Sequence, residues 1–150
     1  MSYTPIVQPA DLASVAYEEI LNEITRNDGG ALATEAIATA IEEAQSYLGR
    51  FNLTALFGDP VNDVAATTSS VLLNRLIKNM GVWYLLNLAN PSINYEDAKT
   101  RYDQAIDTLK RLQDVRQTPP TWPMADLNTV QLSQVNTVHA TGRRKRSNNF

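Results

Sequence analysis

The chain has no cysteine, a single histidine, six glycines and seven prolines in 150 residues. Each shortage excludes something. Without cysteine there can be no disulfide, no thiolate metal site and no cysteine nucleophile, an absence that fits a cytosolic or virion protein. His139 is the only imidazole and lies near the C-terminus, so no serine–histidine–acid arrangement can be built in the rest of the chain. The glycines, at positions 29, 30, 49, 58, 81 and 142, make no phosphate-cradling pattern. The longest apolar stretch, residues 80–89, falls far short of the ~20 residues of a membrane span. Met1-Ser2-Tyr3-Thr4-Pro5 lacks the basic start and apolar run of a signal peptide. These gaps predict a soluble chain with no catalytic set, no metal site and no cofactor.

What is present predicts a single domain able to bury about 70% of its unfolded surface. A hydrophobic content of 43% and a charged content of 19% are ordinary for a globular protein. The net charge of −3 is unevenly spread. Residues 1–142 hold 9 basic and 16 acidic groups, and the four remaining cations are Arg143, Arg144, Lys145 and Arg146. Such a body repels nucleic acid, while its tip attracts phosphates or an acidic protein surface.

Prolines stay out of residues 10–59, 61–90 and 92–118, and each of these spans carries apolar residues at helical spacing. The first helical region is expected over residues 9–25, with Pro9 in its opening turn. Leu12, Val15, Ala16, Ile20 and Ile24 are its core side, and Asn27-Asp28-Gly29-Gly30 its end. A second helix is expected over residues 34–50, capped by Thr34, with Ile37, Ala40, Ile41, Ala44, Leu48 and Phe51 on one face. Residues 52–68 form a long connection around Gly58-Asp59-Pro60, with a short packed turn at Leu53, Leu56 and Phe57.

A third helix over residues 70–89 presents Leu73, Leu76, Ile77, Met80, Tyr84 and Leu88 on one face. Leu72, Val82, Trp83, Leu85 and Leu86 spread apolar character around it, which predicts a central helix or one at a subunit contact. A fourth, residues 95–115 with Asn94 as its cap, carries Ala98, Tyr102, Ala105, Leu109 and Leu112 inward, and pairs Asp97 with Arg101 and Asp107 with Arg111 outside. The expected fold is all-α, a bundle of four main helices over residues 1–117 followed by an extended arm over residues 118–150.

The arm opens with Pro119-Pro120-Thr121-Trp122-Pro123, an extended segment by composition. Residues 127–142 carry no charge. Trp122, Leu127, Val130, Leu132, Val135 and Val138 are its candidate partner-binding residues; Trp122 either anchors in a partner's groove or packs back on its own body, with equal weight. The four cations of the tip can supply at most ~4 phosphate contacts and have no interleaved aromatic for base stacking. The carboxylates Glu18, Glu19, Glu23, Glu42 and Glu43 read as the solvated faces of helices, no histidine standing with them as a metal ligand.

Three stretches resemble the small helical head–tail connector proteins of tailed bacteriophages, also called adaptor or head-completion proteins, including those of Mu-like prophages. The first is Ala40-Ile41-Glu42-Glu43-Ala44-Gln45-Ser46-Tyr47-Leu48-Gly49-Arg50-Phe51. The second is Leu76-Ile77-Lys78-Asn79-Met80-Gly81-Val82-Trp83-Tyr84-Leu85-Leu86, and the third Arg101-Tyr102-Asp103-Gln104-Ala105-Ile106-Asp107-Thr108-Leu109-Lys110-Arg111-Leu112. Asp11-Leu12 also fits, so the resemblance covers roughly residues 10–116. The 52–68 connection is longer than expected of the family, and the segment from 118 is an extension that compact members lack.

The resemblance implies a virion structural protein at the head–tail junction, assembled in the host cytoplasm. About a dozen copies would form a closed ring below the portal protein, extend the DNA exit channel and dock the tail or the next connector protein. DNA would pass without sequence-specific binding, and no membrane would be involved. From the residues alone, a DNA-binding or packaging accessory protein using the basic tip stands as the alternative, with an enzyme using the carboxylate faces a distant third.

Overall fold

The computed structural model describes residues 2–14, 30–89 and 96–125. Among these the fold is all-helical. A 3-10 turn at Pro9–Ser14 is followed by α1 (Ala31–Tyr47), α2 (Leu53–Phe57), α3 (Val71–Ala89) and α4 (Glu96–Gln113). The described residues contain no strand, only the isolated bridges Phe51–Met124 and Asp59–Val64. Of the first expected helix, Pro9 opens the 3-10 turn and Leu12 is fully buried; the continuation of that region lies outside the described residues, as does Asn94.

α1 begins earlier than its pattern predicts. Gly30, at φ 91, precedes the first turn in the left-handed region, where a residue without Cβ is not strained. Thr34 is therefore inside the helix and not its cap: its hydroxyl donates to the Gly30 carbonyl at 3.0 Å. The expected stripe holds, since Ile37, Ala40, Ile41, Ala44, Leu48 and Phe51 are all buried. Ala33 and Ala36 join it, and this run of small residues lets α3 lie close along α1, the most extensive helix contact among the described residues. Gly81 sits at the crossing, where a Cβ would stand 3.5 Å from Ile37.

The packed turn expected after Phe51 is α2. Asn52 caps it, its Oδ1 accepting from the Ala55 amide at 3.1 Å. Leu56 and Phe57 enter the core. At Gly58 the chain reverses with φ 82, and a Cβ there would lie 2.7 Å from the Val64 carbonyl, so only glycine fits.

α3 is central, touching α1, α4 and the N-terminal turn. Its cap is Ser70, whose Oγ accepts from the Leu73 amide at 3.2 Å. Leu88, expected on the inner face, is instead exposed. α4 buries Ala98, Ala105, Leu109 and Leu112. Its surface pairing differs from the expected one. Lys99 binds Asp103 at 2.9 Å, while Arg111 turns toward Thr108 and Gln117 and does not meet Asp107. Asp97 likewise makes no pair with Arg101. Two residues past the helix, Val115 is a non-glycine residue at φ 65, which lets the Arg116 amide reach the Arg111 carbonyl at 3.0 Å.

The body does not stop at residue 117. The chain turns back, and Asn52 donates to the Pro123 carbonyl at 2.9 Å while Ala125 donates to that of Arg50 at 3.0 Å. Residues 118–125 thus pack on the described helices. The remainder of the arm, including Leu127, Val130, Leu132, Val135, Val138 and the four cations, lies outside the described residues.

Candidate functional site

Trp122 is the one arm residue proposed for partner binding that the structure describes, and it is only 5% exposed. Its ring meets Phe51 edge-on at 5.1 Å between centroids. Its indole N–H donates to Ser70 Oγ at 2.9 Å, so one hydroxyl oxygen serves both the α3 cap and the tryptophan. Of the two expectations for this residue, packing on its own body is the one realised. A ring this large on a segment already tied by backbone hydrogen bonds loses more water contact inward than outward.

Arg50 holds the same corner. Its Nε donates to the Leu112 carbonyl at 2.6 Å, and one Nη donates to the Gln117 carbonyl at 2.8 Å and to Thr118 Oγ1 at 3.1 Å. The last carbonyls of a helix have no intrahelical donor, and a guanidinium supplies several at once. The same group lies 4.3 Å from the centre of the Phe51 ring.

A second polar junction forms where α1, α3 and α4 meet. Glu43, expected on a solvated face, is half-buried and accepts hydrogen bonds from two phenols. Tyr84 donates to its Oε1 at 2.7 Å, and Tyr102 reaches Oε1 at 2.9 Å and Oε2 at 3.1 Å. The two hydroxyls are 3.4 Å apart, and the Trp83 ring lies 5.7 Å from that of Tyr102. Burial pushes both phenols above their ordinary range, and at Tyr102 the bonds to Tyr84 and Glu43 add to this. Spacing in the sequence gave no signal for this junction, since its members lie 41 and 59 residues apart.

The third feature is a groove of about 290 Å³ between the N-terminal segment and α1. Pro5, Val7, Ile37, Ile41 and Pro60 are among its lining residues, with Glu42 and Gln45 on the helix side. Glu42 is exposed as expected. Beside it the loop after Gly58 is held rigid by Asp59, which accepts from the Val61 and Asn62 amides and from the Asn62 side chain; the Asn62 contact and these amides keep its carboxyl below the usual range. Val61, at the tip, is 89% exposed.

Among the described residues no three histidine, cysteine or acidic side chains gather as a metal set, and no helix is long and apolar enough to cross a membrane. His139 and the basic tip lie outside the described residues. Comparison with models of protein families, with curated proteins and with solved structures finds no match to this chain.

Proposed function

We propose that this protein is a virion structural component, a head–tail connector whose copies form a ring below the portal, extend the DNA channel and dock the tail. One observation carries the reading. The three stretches that resemble the connector proteins, far apart in the chain, each contribute one member to the Glu43–Tyr84–Tyr102 junction.

The physical demands of such a ring agree with the residues. Neighbouring copies need rigid helical faces, and exposed apolar side chains such as Val61, Val71 and Leu88 offer them contacts. An acidic body lets DNA slide past without sticking. The sequence beyond the described bundle would give each copy an extension with which to fasten onto the adjacent ring. The role is mechanical, without cofactor, at the head–tail junction of a particle assembled in the host cytoplasm.

Electron microscopy of the purified full-length chain, and of the particle it comes from, should show rings of identical subunits. A chain that stays monomeric in both settings overturns the proposal. The competing accessory-protein reading draws on the four cations that follow the last acid, Asp126. It requires DNA retention that weakens with salt and disappears when residues 143–150 are deleted.

A further inference from the structure

We propose that the Glu43–Tyr84–Tyr102 junction is a recognition site for a guanidinium group, the side chain of an arginine carried by a partner protein. It does not rest on the ring: a chain that never assembles would bind the same group.

The balance of donors and acceptors comes first. A carboxylate offers about four acceptor positions, and each phenol has one proton to give. Tyr84 donates to Oε1 at 2.7 Å, and the single proton of Tyr102 is shared between Oε1 at 2.9 Å and Oε2 at 3.1 Å. Two protons therefore face one carboxylate, while the phenol oxygens, 3.4 Å apart, bring acceptor positions of their own. The surplus is of lone pairs and of negative charge. Among the described residues no lysine, arginine or histidine forms an ion pair with Glu43. A half-buried carboxylate has lost part of its hydration, and neutral phenols return hydrogen bonds but no opposite charge. What fits such a surplus is a cation that only donates.

The aromatic surround decides which cation. The rings of Trp83 and Tyr102 have centres 5.7 Å apart and planes 35° from each other, and Tyr84 meets Tyr102 edge-on at 5.8 Å. Tyr47 follows one turn beyond Glu43 on α1. All five side chains are partly exposed, so a ligand reaches them from solvent. A guanidinium is planar and weakly hydrated, and lies against rings while its N–H groups reach several oxygens at once; an ammonium is a strongly hydrated point charge. The chain already houses one guanidinium in this way. Arg50 lies 4.3 Å from the centre of the Phe51 ring and donates to the Leu112 and Gln117 carbonyls. Glu43 and its rings supply the same two components, with a full negative charge in place of carbonyl dipoles. An α-carboxylate brought close would be repelled by Glu43, so the group belongs to an arginine within a polypeptide and not to the free amino acid.

The two tryptophans make the site readable. In the full-length chain labelled with 5-fluorotryptophan, Trp83 reports on the junction and the buried Trp122 serves as reference; Trp83→Phe, which keeps a ring, assigns the two fluorine resonances. Nα-acetylarginine amide should move the Trp83 resonance and leave that of Trp122 in place, saturating with a midpoint of about 1 mM, as for a ligand of this size with ordinary efficiency per atom. Nα-acetylcitrulline amide, its uncharged counterpart, should bind at least about tenfold more weakly, and Glu43→Gln should weaken the arginine compound by a similar factor. Nα-acetyllysine amide and free arginine should each bind about threefold more weakly or worse. No saturable movement of Trp83 up to ~50 mM overturns the proposal, and so does citrulline matching arginine; both measurements use the chain without substitution, so the folding of a variant does not enter. Unchanged binding in Glu43→Gln overturns it as well. Lysine matching arginine defeats the choice of guanidinium, and free arginine matching the capped form defeats the assignment to a partner protein.

Discussion

Glu43 and Arg50 are neighbours in sequence, and each fastens α1 or its C-terminal extension to α4, yet they do so by different chemistry. Glu43 takes its partners from side chains, two phenols that converge on one carboxylate. Arg50 takes its partners from the main chain, at the Leu112 and Gln117 carbonyls, with one hydroxyl added. The first junction depends on three residue types being present together. The second depends on where α4 ends, because only there are carbonyls left without amide donors. Arg50 also sits over Phe51, and so over the ring that Trp122 covers. The contrast predicts that the Arg50 corner is the costlier one to break, since it holds a helix end and the returning segment at once.

Trp122→Ala should have the largest effect. It empties a buried site against Phe51 and should lower the unfolding free energy by about 3–4 kcal/mol, read by urea denaturation followed by helical circular dichroism. If the loss is under about 1 kcal/mol, as for an ordinary surface change, residues 118–125 are not part of the folded body. Arg50→Ala comes next, at about 2–3 kcal/mol for a charged donor with several acceptors. Arg50→Lys should recover less than half of that, because an ammonium cannot reproduce the planar fork. Equal losses at Arg50→Ala and Glu43→Ala would erase the distinction between the two corners.

At the other corner Glu43→Gln keeps an acceptor and loses the charge, so it should cost about 1 kcal/mol. The phenols add a pH dependence. Their pKa values in the folded state are raised above the ordinary 10.0, chiefly by burial. Their contribution is therefore fully present below pH 10.0 and is lost as pH rises past it toward the folded values, because the unfolded chain releases these protons first. Ultraviolet titration should show late-ionising phenols, the partly buried Tyr3 among them, two of which disappear in Tyr84→Phe and Tyr102→Phe. Both ionising with an exposed tyrosine would mean that the junction is open to water. The smallest effect is expected at Val115, where a β-branched residue occupies φ 65. Val115→Gly should raise stability by about 1 kcal/mol by removing that strain, measured in the same denaturation series.

The two corners also show how far the residue pattern could be read. The inner faces of α1 and α4 were legible, since Ile37, Ile41, Ala44, Leu109 and Leu112 repeat at three and four residues and burial follows that repeat. So was the packed turn at Leu56 and Phe57. The start of α1 was not, because a left-handed Gly30 and a capping Thr34 leave similar traces in sequence and only the backbone angle tells them apart. Glu43 looked like a wet-side residue because nothing near it in sequence announces two phenols. Trp122 sat between two readings until its partner, Ser70, was in place. The groove escaped notice altogether, since its walls come from residues 3–9, α1 and Pro60.

Local spacing was enough to establish that the described residues are all-helical, to place their inner faces and to deny the chain cysteine chemistry, because those properties depend on residue type and on neighbours three or four positions away. Which carboxylate is sheltered, how residues 118–125 return to the helices and which surface forms a groove were set by contacts between residues tens of positions apart. Such contacts arise only when helices have docked, and their energies depend on burial that no short window of residues contains.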